Sequence, residues 1–189
     1  MIADTLLMKR VVKSAGLSTA TDHCVAFSSK FETRVYDINE SKSLNTLKKS
    51  LTLLEFGKIF EGLDVTLVNL QYGDVDKEIR EFEEQTGIKI IQCGSVDNRE
   101  DLDGLAALIE ACDLVVSTSN VTVHLAGDLG KDTWVLLPFV SSFWWLLNRE
   151  DSIWYPSLKI FRQKKFGEWK LALDAVEDNL KTLFIRRDP

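Results

Sequence analysis

From about residue 60 onward, short runs of Val, Ile and Leu alternate with longer stretches whose apolar residues recur at helical spacing. This alternation constrains the fold more than any other feature of the chain. A run of four to seven apolar, β-branched-rich residues suits a buried strand, and strands separated by helical stretches are the mark of βαβ units. Strands with no polar face must be covered on both sides. The expected fold class is therefore α/β, a Rossmann-like parallel sheet with helices on both faces.

Strands are predicted at Asp64–Leu70, Ile88–Gln92, Leu114–Ser117 and Thr133–Leu137, with a fifth candidate at Leu158–Arg162. Helices are predicted between them. Residues 44–60 have apolar positions at 44, 47, 51, 54 and 59 after a cap candidate, Ser43; residues 74–86 form an acidic surface helix closed by Gly87. Residues 102–112 are mostly apolar, as a helix pressed on a sheet requires, and a last helix spans about 168–183. Residues 1–40 are less legible. Thr5–Ser14 reads as a helix stopped by Gly16, and Val25–Ser28 and Arg34–Ile38 as strands, but their periodicities are too short to order them. The expected organisation is a poorly defined segment over 1–40 and one domain over 41–189, with no internal repeat, low-complexity tract or Pro/Gly linker.

Parallel sheets bind ligands beyond the carboxyl ends of their strands. Four turns lie there: Gln71–Asp74, Cys93–Asp101, Thr118–Thr122 and Pro138–Ser157. The most informative segment is DLVVSTSNVTVHLAGDLGK, Asp113–Lys131. A buried strand ends in Ser-Thr-Ser-Asn and passes straight into a helix closed at Gly130, and a helix N-terminus offers unpaired N–H groups and a partial positive charge to a phosphate. Ser117, Thr118, Ser119, Asn120 and Thr122 can add hydroxyl or amide groups, and His124 in the first or second turn can reach the same anion. Ordinary capping uses the same residue types, so the pattern alone leaves both readings open. Gln71 and Tyr72, before Gly73, are placed to bind a base or phosphate or merely to shape a turn.

The connection Pro138–Ser157 holds Phe143, Trp144, Trp145, Trp154 and Tyr155. A long loop so rich in rings argues for function or for packing on the domain or a partner rather than for disorder. Arg149 is its best cation for a phosphate, with an ion pair to Glu150 or Asp151 as the alternative.

Other functions are excluded by what the residues lack. There is no Walker spacing, no G-x-G-x-x-G fingerprint and no G-x-S-x-G elbow, and neither His23 nor His124 has a Cys or His at metal-ligand spacing. A net charge of −6 argues against nonspecific nucleic-acid binding, though local N–H groups can still hold one small anion. No apolar run approaches the ~20 residues of a membrane span. The N-terminus reverses the charge order of a secretory signal, and three widely spaced cysteines suggest no disulfide framework. A cytoplasmic chain is expected.

Taken together, LQYGD at Leu70–Asp74, DNREDLDGLAALIEACDLVVS at Asp97–Ser117, NVTVHLAG at Asn120–Gly127, TWVLLPF at Thr133–Phe139, WLLNREDSIWYPS, LKIFRQ and GEW resemble the C-terminal domain of bacterial tetratricopeptide-repeat-associated glycosyltransferases, which are heptosyltransferase-like. The resemblance covers roughly residues 41–184 and implies one half of a GT-B fold. It implies a donor domain for a nucleotide-diphosphate sugar, with Gln71 and Tyr72 flanking the nucleotide. Ser117, Thr118, Ser119, Asn120, Thr122 and His124 would lie by the diphosphate, and Pro138, Phe139, Trp145 and Arg149 would border the cleft. No cofactor or metal is implied, because the helix N-terminus offsets charge on the leaving diphosphate. No catalytic residue is assigned: the general base is expected on a separate N-terminal acceptor domain, and that domain or a tetratricopeptide-repeat unit is the expected partner. Ser119 stands where this family often has Asp, Asp132 and Ile153 where it has Pro, and Ser141–Trp144 replaces Pro-Asp-Trp-Arg. A non-catalytic nucleotide-binding or interaction module and a nucleotide-sugar epimerase are the alternative readings.

Overall fold

The structure is a computed structural model and describes residues 23–29 and 51–185. Six parallel strands form one sheet: β1 (His23–Ser28), β2 (Val65–Asn69), β3 (Ile90–Ile91), β4 (Leu114–Thr118), β5 (Thr133–Leu137) and β6 (Leu158–Arg162). Their order across the sheet is β3-β2-β1-β4-β5-β6. The helices are α1 (Leu53–Gly57), α2 (Asp76–Thr86), α3 (Leu102–Ala111), α4 (Val121–Asp128) and α5 (Lys170–Ile185), with 3-10 turns at Lys58–Phe60 and Phe143–Trp145. The expected α/β, Rossmann-like sheet is what forms.

Side-chain alternation along each strand divides the core in two. Val25, Phe27, Leu114, Val116 and Leu136 face α1, α2 and α5, where Phe56, Phe82 and Val176 meet them. Cys24, Ala26 and Val115 face the opposite layer, where Leu105, Ile109 and Ala126 of α3 and α4 pack. Successive residues of a strand point to opposite faces, so a one-residue slip would exchange the two layers, and the register is set by both at once. Farther along this second face, Trp145 joins Val123, Val135, Leu137, Leu158 and Ile160, covering β5 and β6 from the long 138–157 connection.

The differences from the sequence expectations have local causes. A continuous helix over 44–60 does not form: Leu51 and Thr52 are non-helical, and α1 starts at Leu53. Thr52 Oγ1 accepts from Glu55 N at 3.1 Å while the Glu55 carboxylate accepts from Thr52 N at 3.0 Å, a reciprocal cap that starts the helix there. Ser43 and residues 44–50 lie outside the described residues, as do the expected elements at Thr5–Ser14 and Arg34–Ile38. β3 starts later than expected because backbone N–H groups at and before its first residue are bonded to side chains. Glu83 accepts from Ile90 N at 2.8 Å and Thr86 Oγ1 from Ile88 N at 3.2 Å. Gly87, at φ 73, ends α2 in the left-handed conformation expected of it.

His23–Ser28 lies in the middle of the sheet, paired with β2 on one side and β4 on the other. Chain order reverses there. The chain steps outward from β1 to β3, then returns to β4 beside β1 and steps outward the other way, so the crevice beyond β1 and β4 is the topological switch point.

Candidate functional site

The carboxyl ends of β1 and β4 carry small polar residues in register. Ser28 is opposite Ser117, and Ser28, Ser29, Ser117 and Thr118 are all buried. Buried hydroxyls persist only with partners, and here the partners knit four segments together. Asn120 Nδ2 donates to Ser28 Oγ at 3.0 Å, Ser29 Oγ donates to Gln71 Oε1 at 2.8 Å, and Thr118 Oγ1 donates to the Ser28 carbonyl at 3.5 Å. Asn69 Oδ1 accepts from Gln71 N at 2.9 Å, and Asn98 Nδ2 donates to the Gln71 carbonyl at 3.1 Å.

Asn120 is the N-cap of α4. Its Oδ1 accepts from Thr122 N at 3.0 Å and from Ser117 Oγ at 3.4 Å. Ser119 Oγ accepts from Trp145 Nε1 at 2.9 Å. Ser117, Thr118, Ser119 and Asn120 therefore use their side chains to hold the turn. What the turn offers an anion is the first-turn N–H groups of α4 that Asn120 does not cap. Thr122 is buried. Tyr72 is half-buried beside buried Gln71, and Gly73 (φ 80) carries the left-handed turn that follows them.

His124, one turn into α4, faces the aromatic connection. Its Nδ1 lies 3.1 Å from the Tyr155 hydroxyl, and its ring stacks on Trp145 with centroids 5.4 Å apart and planes 23° from parallel. With Trp144, Trp145, Trp154 and Tyr155, His124 lines an open pocket of about 390 Å³. Tyr155 packs closely on α4 because residue 127 is glycine: a Cβ there would sit 2.5 Å from the Tyr155 ring. Burial first, and the negative charge of Asp128 second, hold the Tyr155 phenol above its ordinary pKa, so it remains a neutral hydroxyl.

The loop is pinned from β6. Arg162 donates to the carbonyls of Trp145 (3.1 Å) and Leu146 (2.7 Å) and to Ser141 Oγ, and burial lowers its pKa. Leu146 sits at φ 46, a conformation costing a bulky residue roughly 1–3 kcal/mol, and the Arg162 bonds hold it there. Pro138 is buried, while Phe139 is exposed with its N–H donating to buried Gln163 Oε1 at 3.0 Å. Arg149 pairs with Asp151 at 2.7 Å. The partner in this ion pair is Asp151 rather than Glu150.

Ser28, Ser29, Asn98 and Arg162 join this region without having been singled out from sequence. Ser28 and Ser29 carried the same signal as Ser117 and Thr118, small polar residues at a strand's carboxyl end. Only the strand order shows the two ends to be neighbours. Among the described residues, no group of three or more His, Cys, Asp or Glu side chains converges to hold a metal ion, and no helix is long and apolar enough to cross a membrane.

Two solved structures share this architecture. The glycosyl transferase family 9 protein from Veillonella parvula superimposes with a TM-score of 0.62 at 15% identity, over 96% of this chain and 51% of that one. The ADP-heptose lipopolysaccharide heptosyltransferase II of E. coli superimposes with a TM-score of 0.66 at 14% identity, over 100% of this chain and 54% of that one. The fold is that of one half of a GT-B glycosyltransferase. The chain spans about half the length of both proteins. In sequence, protein FlbA of Caulobacter vibrioides is 39% identical over 117 residues, which is 62% of this chain and 19% of FlbA, so the chain spans about a fifth of that relative. No family model matches the sequence.

Proposed function

We propose that this chain is the donor-binding half of a glycosyltransferase, holding the diphosphate of a nucleotide sugar at the switch point between β1 and β4. The observation that carries the reading is the meeting of Ser28, Ser29, Ser117, Thr118 and Asn120 at that crevice, at the mouth of α4. Backbone N–H groups at a helix N-terminus, in a turn held rigid by its own side chains, are preorganised for a phosphate and need no reorganisation to receive it. Gln71 and Tyr72 lie on the β2 side of the crevice, where they flank the nucleoside. Sugar transfer requires a second wall bearing the acceptor and a general base, supplied on this reading by an acceptor-binding domain or a tetratricopeptide-repeat partner.

The test is calorimetric and thermal-shift titration with UDP, ADP, GDP and their sugars. A ligand at 100 times its Kd should stabilise the chain by about 2.7 kcal/mol. Absence of stabilisation by every one of them rejects the reading for this chain. Asn120→Asp keeps the capping oxygen and adds a carboxylate beside the diphosphate, so it should weaken binding about tenfold or more. The loss of the amide bond to Ser28 and the buried charge also cost stability, so affinity is compared at a temperature where the variant is folded by circular dichroism. Equal affinity in that variant would place the site elsewhere.

A second reading, a non-catalytic nucleotide-binding module, is favoured by the use of His124 Nδ1 and the turn hydroxyls in internal bonds. Donor hydrolysis or transfer by the chain together with its partner would reject it.

A further inference from the structure

The pocket bounded by His124, Trp144, Trp145, Trp154 and Tyr155 has no role in holding the fold that its exposed rings explain. Trp145 is buried and packs on β5 and β6, yet Trp144 and Trp154 are 45% and 61% exposed, with the Trp154 indole N–H spent on the Trp144 carbonyl at 3.2 Å. Solvated indoles held in place by a hydrogen bond and by the left-handed Leu146 turn form a fixed wall. Strain of this kind persists where the surrounding structure over-determines it, and Arg162 does so here.

We propose that this pocket receives the pyranose ring of the activated sugar, with the ring's C–H face stacked on Trp144 and Trp154. The assignment rests on the donor-binding reading and adds to it the subsite for the glycosyl group. Three observations support it. First, every lining side chain is an aromatic ring, and ring faces carry a negative quadrupole that attracts the slightly positive C–H bonds of a sugar. Second, the polar atoms at the pocket, the Tyr155 hydroxyl and the His124 imidazole, are already oriented by each other and can meet a sugar hydroxyl at the rim. Third, the place is right. Trp145 reaches Ser119 of the turn before α4 through one hydrogen bond, so a group attached to a diphosphate at that helix end meets this wall next. The volume, about 390 Å³, falls in the ~300–1,000 Å³ range of small-ligand sites. A quaternary ammonium would also favour aromatic faces, but no carboxylate lines the pocket to complement its charge.

The experiment compares each nucleotide with its sugar on the full chain: UDP with UDP-glucose, ADP with ADP-glucose and GDP with GDP-mannose, by calorimetry and tryptophan fluorescence. At least one sugar nucleotide should bind about tenfold tighter than its nucleotide and shift the indole emission. Trp154→Ala and Trp144→Ala should remove that increment without changing the affinity for the bare nucleotide, and Trp154→Phe should keep most of it. Circular dichroism checks that each variant folds. An increment that survives both alanine substitutions overturns the assignment, as does competition by tetramethylammonium at the same indoles. If nucleotides bind with no sugar increment, only the subsite fails. If neither nucleotides nor their sugars bind, the donor reading fails with it.

Discussion

Gly127→Ala should destabilise the protein even though alanine is the better helix former. In α4 the exchange alone favours folding by about 1 kcal/mol. Against this, the new Cβ would lie 2.5 Å from Tyr155 Cγ and 2.6 Å from Cδ1, where carbon contacts settle at about 3.5–4.0 Å. The ring must withdraw by roughly 1 Å, and its hydroxyl, 3.1 Å from His124 Nδ1, then leaves hydrogen-bond reach. Overpacking costs about 1–3 kcal/mol and the lost bond about 1 kcal/mol, so the net change is about 2 kcal/mol of destabilisation. For a chain of this length that lowers Tm by roughly 4–8 °C in scanning calorimetry. In a Tyr155→Ala background the ring is gone and only the residue-155 Cβ, 2.9 Å from the new one, still crowds it, so the same exchange should cost at least about 1 kcal/mol less than in the parent. A Gly127→Ala protein with unchanged or higher Tm, or an equal loss in both backgrounds, would refute the packing argument.

Thr52→Ala removes one side of the reciprocal cap and should cost about 0.5–2 kcal/mol in urea denaturation, with an unchanged m-value. Glu83 has its pKa lowered first by the Ile90 N–H bond and then by Lys89, so its contribution is present above the ordinary carboxylate pKa of about 4.3 and is lost as pH falls through the lower folded value. Denaturation midpoints should therefore fall less steeply below pH 4 in Glu83→Gln than in the parent; identical acid limbs would contradict this. The Cys112 thiol is held protonated by its bond to Cys24, 2.8 Å away, and by burial, whereas Cys93 is partly exposed. A disulfide reagent at neutral pH should modify one thiol per folded chain quickly and the other two only on unfolding. Three equal rates would contradict the described burial.

Much of the candidate site was legible as strand ends. Ser117 to Asn120 announced itself because a buried strand ran directly into a helix, and Asn120 proved to be the cap. The roles of those side chains were not legible. An asparagine that caps a helix and one that binds phosphate look alike in sequence, and only the fold shows that Ser28, 92 residues away, accepts from this amide. His124 is a similar case, since its environment comes from Tyr155, 31 residues on. Helix starts depended on capping detail, as Thr52 and Glu55 show, rather than on the apolar period that extends past them.

The sequence by itself determined the fold class and most strand positions, because burial on both faces of a parallel sheet forces short unbroken apolar runs, and here they alternate with stretches of helical spacing. It also determined where helices of strong local signature end, as at Gly87. Only the tertiary structure decided that β1, from the least legible part of the chain, is a central strand beside β4, and so where the crevice opens. Strand order is a matter of which edges meet, and each edge offers the same backbone groups. It also turned a list of loop aromatics into a walled pocket, because Gly127, Arg162 and Ser119 act on that loop from elements that only folding brings beside it.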